Sequence, residues 1–118
     1  MALVLILDTL VDPTSRGIRG AFTARHLLFY SEEWDLDLIV SKSTEGISLR
    51  GQVLPRGGAD LSSLFNAVVL LMQGTSDDLV ESTKLTSRGE FDFRDVPESH
   101  LQIEIFLKAH RLTASFQP

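Results

Sequence analysis

The strongest constraint on this chain is an alternation that runs from Thr86 to Leu107 and is broken once, at Pro97. Before the break Phe91 and Phe93 fall on one side, with Glu90, Asp92 and Arg94 on the other. After it, Leu101, Ile103, Ile105 and Leu107 lie inward, while Gln102, Glu104 and Lys108 lie outward. A strand sends residues i and i+2 to the same face. On a helix, at roughly 100° per residue, successive members of the second set would be scattered by about 200°. The stretch therefore predicts two antiparallel strands, each with one dry and one wet side.

The same reasoning predicts strands over residues 2–10, 24–30, 34–40, 47–54, 67–73, 79–85 and 112–116. The polar turn Ser31-Glu32-Glu33 is short enough to make a hairpin of its two flanking strands. Within 34–40, Trp34, Leu36, Leu38 and Val40 point inward and Asp35 and Asp37 outward, with Ile39 an exception. Gly51 falls at an inward position, where a large neighbour can approach closely. Asp60 is placed to cap one short helical turn, setting Leu61, Leu64 and Phe65 together on one side as a plug over an open end of the fold. Residues 79–85 carry the weak pattern of an edge strand. Roughly eight or nine short strands with turns about every ten residues imply an all-β, antiparallel β-sandwich rather than a parallel α/β fold.

Residues 2–10 are apolar on both faces, Leu3, Leu5 and Leu7 on one and Val4, Ile6 and Leu10 on the other. Two-sided apolar strands are usually central or covered. The cover is expected from a loop or crossing segment, or from a second subunit or a further domain, so a homodimer through the N-terminal strand is one expected assembly. The strand starts almost without lead, which points to a single domain spanning 1–118 that is a piece of a longer protein. It is no signal peptide, because a basic start is lacking and Asp8 ends the apolar run early. No run approaches the ~20 apolar residues of a membrane helix.

A chain of 118 residues with 43% hydrophobic and 23% charged residues is long enough for one core and too apolar for disorder. Without cysteine it has neither disulfides nor thiolate chemistry. A net charge of −5 disfavours broad attraction to nucleic acid or anionic membrane. Against that acidic balance, Arg16, Arg19 and Arg25 follow Asp12 with no intervening acid, in a loop marked by Pro13, Gly17 and Gly20. They either pair with carboxylates of the same domain, such as Glu32, Glu33 or Asp35, or form a basic rim that docks an acidic partner surface. With no aromatic platform interleaved, phosphate or nucleic-acid binding is the weakest reading. The three arginines are the candidate partner-binding residues.

Catalytic and ligand-binding patterns are missing. His26, His100 and His110 are scattered, and Ser99 and His100 would point to opposite faces of a strand. No metal-binding spacing occurs, and Asp35 with Asp37 read as a wet sheet face, since calcium needs about six oxygens. Gly57-Gly58 lacks the spacing and the following Lys of a phosphate loop. No cofactor is expected. A carbohydrate site would need exposed aromatics, yet Trp34 is in phase with Leu36 and Leu38 and reads as core. Sheet edges, at residues 79–85 and in the N-terminal strand, offer main-chain groups to a partner segment instead.

Three groups of residues carry a family likeness: Leu49-Arg-Gly51-Gln-Val53, Ala67-Val-Val-Leu70, and Thr86-x-x-Gly89-Glu-Phe91-x-Phe93-x-x-Val96-Pro97 followed by Leu101-x-Ile103. In this order and spacing, residues 47–108 resemble the carboxypeptidase regulatory-like (transthyretin-like) β-sandwich family. Where that family usually has Gly-x-Tyr after the Val-Pro turn, this chain has Ser99-His100-Leu101. The resemblance implies a transthyretin-like or immunoglobulin-like sandwich of a kind appended, as a non-catalytic module, to peptidases, glycan-acting enzymes or outer-membrane transporters. Related sandwiches include hydrolases of 5-hydroxyisourate that end in Tyr-Arg-Gly-Ser, whereas this chain ends Thr113-Ala-Ser-Phe-Gln-Pro118. The first half, with Ile6-Leu-Asp-Thr9, Gly17-Ile-Arg19, Ala24-Arg-His-Leu-Leu-Phe29 and Asp35-Leu-Asp-Leu38, is similar to a segment preceding such modules in some bacterial proteins. Those proteins occur beside sigma-factor and zinc-finger anti-sigma components. The resemblance thus implies a cytoplasmic, non-catalytic protein–protein interaction module in a bacterial regulatory or defence assembly. A carbohydrate-binding accessory module and a transthyretin-like hydrolase are the alternatives.

Overall fold

The computed structural model describes residues 3–11, 23–57, 62, 64–74, 76, 78–108 and 110–118. Nine strands form in chain order: β1 (Val4–Val11), β2 (Thr23–Tyr30), β3 (Trp34–Ser43), β4 (Gly46–Pro55), β5 (Val68–Gln73), β6 (Asp78–Lys84), β7 (Glu90–Phe93), β8 (Leu101–Phe106) and β9 (Arg111–Phe116). They make two antiparallel sheets, β1-β2-β3-β4-β7 and β6-β5-β8-β9. No α-helix occurs among the described residues. The fold is the expected all-β sandwich.

Local chemistry sets the turns. In the β2–β3 hairpin the Ser31 amide donates to the Trp34 carbonyl at 2.8 Å, and the Ser31 hydroxyl accepts from the Trp34 amide at 3.1 Å. The β3–β4 ladder is the longest, running from Ser43 opposite Gly46 to Trp34 opposite Pro55. The chain passes from the second sheet to the first through Thr86–Gly89, where the Thr86 hydroxyl accepts from the amides of Arg88 and Glu90. Gly89 sits there at φ +76°, and its carbonyl accepts from the Val53 amide at 2.8 Å. Only glycine adopts that backbone at no steric cost.

The core lies between the sheets and follows the alternation. Leu27 and Phe29, Trp34 to Val40 at every second residue, Phe91 and Phe93, and Leu101, Ile103 and Ile105 are all buried. The only tryptophan, Trp34, is 3% exposed. Phe91 and Phe93 meet edge to face with ring centres 5.8 Å apart. Gly51 lies opposite Phe91 in the ladder, and a Cβ there would fall on the Phe91 ring. The inward glycine is what admits the aromatic.

Two expectations change. The N-terminal strand lies at a sheet edge, one of the two edges expected, rather than centrally: among the described residues β1 pairs with β2 alone, and Val4, Leu5 and Ile6 are exposed. A register shift between Leu5 and Leu7 leaves Ile6 as a bulge. The plug also differs. Leu64 is buried at 1% exposure but Phe65 is 61% exposed, so the two do not share a side. Of these two, Leu64 packs into the core, close to Gly89. Asp60 and Leu61 lie outside the described residues.

Candidate functional site

The sites to weigh are the edge strand β1, the arginines expected to form a basic rim, the three histidines, and two cavities beside β7.

Arg25 is the third residue of β2, not the end of a loop. Its Nε donates to Asp8 Oδ1 at 2.7 Å and its Nη2 to Asp8 Oδ2 at 2.8 Å, a two-pronged pair. Nη1 donates to the carbonyl of Gln117, beyond β9. The guanidinium holds the Asp8 carboxyl below the usual carboxylate range, against a weaker opposing effect of burial. Asp8 in turn raises Arg25 above its ordinary value. Arg25 therefore clasps β1 to β2 and to the C-terminal end, and its partner is Asp8 instead of Glu32, Glu33 or Asp35. Arg16 and Arg19 lie outside the described residues.

The Asp8–Arg25 pair belongs to a pattern. Asp8 stands opposite Leu27, two residues from Arg25. Asp37, opposite Leu28, meets His26. Asp35, opposite Leu54, faces Arg56 at 3.7 Å, and Glu104, opposite Thr113, faces Arg111 at 3.8 Å. All four are diagonal cross-strand pairs, within reach of long side chains on a shared face. Arg56 also stands over the Tyr30 ring at 5.4 Å. Asp35 and Asp37, read from the sequence as a wet face, are thus occupied by basic neighbours.

The histidines do not converge. His26 contacts Asp37, His110 Nε2 lies 2.9 Å from Glu33 Oε2, and the His100 ring is held against Gly74. Among the described residues no hydrogen bond joins a histidine to a serine or threonine hydroxyl, and no cluster of His, Asp and Glu has the grouping of a metal site. Two open cavities of about 300 and about 320 Å³ flank β7. Arg50 and Asp92 border both; Arg94 and Asp95 border the first, and Lys84 and Glu90 the second. Charge alternates around these walls, so neither cavity presents a pole of one sign or a nucleophile with a base.

The β1 edge is different in kind. Val4 is 54%, Leu5 43% and Ile6 54% exposed, and among the described residues no strand pairs with its outer side. Long apolar edges invite another strand, and proteins guard them with charge, proline, bulges or shortness. The other edges carry such guards. β6 presents exposed Asp78, Glu81 and Lys84 and a bulge at Val80. β7 is four residues long. β9 gives its Thr113 carbonyl to the Leu3 amide at 2.7 Å. On β1 the bulge at Ile6 stands without a free charge, because Asp8 is taken by Arg25. The sequence names the N-terminal strand as one of two candidate sheet edges, and its two-sided apolar run leaves apolar side chains to be exposed there.

Comparison of the chain with protein-family models, with curated proteins and with solved structures finds no significant match.

Proposed function

We propose that the chain is a non-catalytic protein-interaction module of a bacterial regulatory or defence assembly, working in the cytoplasm, and that the outer edge of β1 is its contact element. The observation that carries this reading is the exposure of Val4, Leu5 and Ile6 on an edge that lacks the charges guarding β6. A partner segment laid along such an edge gains main-chain hydrogen bonds and apolar contacts on both sides of the sheet. The separated histidines, two of them engaged with carboxylates, favour this over a hydrolase of the transthyretin-like kind. Trp34, buried in the core, is no platform for a sugar, which weighs against carbohydrate binding. The likeness of residues 47–108 to carboxypeptidase regulatory-like modules supports an accessory role. Arg16 and Arg19, in the segment that follows β1, are proposed to contact an acidic partner surface, while Arg25 holds the strand that does the docking.

The test is crosslinking of the chain in a bacterial lysate, followed by hydrogen exchange on the complex with the captured partner. The expected result is slowed exchange at the amides of β1. Protection confined to other elements would refute the assignment of the edge. Turnover of 5-hydroxyisourate that is abolished by changing one histidine would refute the non-catalytic reading.

A further inference from the structure

The cavity of about 300 Å³ at the corner of β3, β4 and β7 has a hydroxyl floor and a charged rim. Outward positions alternate with buried ones along these strands, so Ser41, Ser48, Arg50 and Asp92 share the outer face of the sheet. Ser41 stands directly opposite Ser48, and Arg50 directly opposite Asp92. Two small side chains facing each other beside two long ones leave a hollow between strands whose backbones are fixed by the ladder. At its end Gly46 carries no side chain, and Asp95 Oδ1 lies 3.5 Å from where a Cβ would stand. Asp95 is at φ +53°, a backbone that few residues besides glycine adopt. The next amide, of Val96, fixes that turn by donating to the Ile47 carbonyl at 3.0 Å.

The rim is unlike the other charged surfaces of the molecule. Arg50 and Arg94 bring two guanidiniums to it, and Glu45, Asp92 and Asp95 bring three carboxylates. Elsewhere opposite charges meet, Arg25 with Asp8, Lys42 with Glu98 and Arg56 with Asp35. Here, among the described residues, neither guanidinium is ion-paired with a carboxylate, although Arg50 and Asp92 face each other across the ladder. A simple anion entering the cavity would meet the three carboxylates, and a simple cation the two guanidiniums. Nor do acids converge on a metal-binding grouping among the described residues. Both signs are served at once by a ligand that carries both, since charge-assisted hydrogen bonds then form at each end.

The geometry points to a binding site for a small zwitterion, with an ammonium and a carboxylate a few bonds apart as in an amino acid or a short peptide. Its carboxylate lies toward Arg50 and Arg94, its ammonium toward Asp92 and Asp95, and the serine hydroxyls line the floor between them. The site is at the β7 side of the sheet, opposite the β1 edge, and neither requires the other.

The experiment is an amide NMR titration of the 118-residue chain with alanine, glycylglycine, acetate and methylammonium. The expected result is saturable shifts at Ser48, Asp92 and Arg94 with a zwitterion dissociation constant of about 1–10 mM, as suits an open, solvated cavity. Acetate and methylammonium should bind at least about tenfold more weakly. The tighter of alanine and glycylglycine identifies the source as a free amino acid or a peptide. Arg94→Gln and Asp92→Asn should each weaken binding about tenfold, and Ser48→Leu, which fills the floor, should abolish it. Lys108→Gln, outside the cavity, should leave it unchanged. Retained amide shifts of the second sheet show that each altered chain is folded. The site is overturned by the absence of saturable shifts at these amides up to about 50 mM zwitterion. It is equally overturned by acetate or methylammonium binding as tightly, or by binding indifferent to Arg94→Gln and Ser48→Leu.

Discussion

Gly51→Ala tests the packing that joins β7 to the first sheet. Gly51 stands between Leu38 of β3 and Phe91 of β7 in the ladders, and Phe91 is 5% exposed. A Cβ at this position would lie 2.9 Å from Phe91 Cε2 and closer still to two other ring atoms. The ring has little room to yield, because Phe93 meets it edge to face. Overpacking of a filled core costs about 1–3 kcal/mol. Removing a strand glycine returns roughly 0.5–1 kcal/mol through the unfolded chain. The net expectation is a loss of about 1–2 kcal/mol. With Phe91→Leu the obstructing ring is gone, so the same glycine substitution should be neutral or slightly stabilising, a coupling of roughly 2 kcal/mol. Urea titration followed by the fluorescence of Trp34, buried and single, reads both. At an m-value of about 1–2 kcal/mol/M the midpoint should fall by about 1 M for Gly51→Ala alone. A loss below ~0.5 kcal/mol, or one equally large beside Phe91→Leu, would refute the claim that the ring requires the glycine.

Gly89→Ala should cost more than ~2 kcal/mol in the same titration, since a Cβ at φ +76° would sit 2.5 Å from the Val53 carbonyl oxygen; a cost under ~1 kcal/mol contradicts this. Asp8→Asn should cost about 0.5–1 kcal/mol at pH 7, the modest value reflecting an exposed, solvent-screened pair. Because Arg25 lowers the folded carboxyl below its unfolded value, that contribution is complete at neutral pH and is lost as pH falls below about 4. Stability curves of the unaltered and Asn forms should therefore converge at acid pH, and parallel curves down to pH 2 would count against the clasp. Leu64→Ala should cost about 2–5 kcal/mol, whereas Phe65→Ala should stay within ~0.5 kcal/mol; comparable losses would show that the two side chains share the core after all.

Local backbone geometry explains what could be read from residues alone. The two-residue repeat of a strand is a property of neighbouring dihedrals, so Phe91 with Phe93, Leu101 with Ile103 and Ile105, and Trp34 with Leu36 and Leu38 announced both the strands and their buried faces. Gly51 announced a close approach in the same way, though not that Phe91 would make it. Pairing is different, because it joins residues far apart along the chain and no periodicity records it. Asp8 and Arg25 are 17 residues apart, and only the β1–β2 register brings them diagonally together and turns an expected docking residue into a clasp. Leu64 and Phe65 look equally apolar in sequence, and only the tertiary structure separates them, with Leu64 buried beside the Gly89 turn and Phe65 exposed. Strand order likewise set β1 at an edge, and an apolar run says only that a strand can be covered on both sides, not that anything in the same chain covers it.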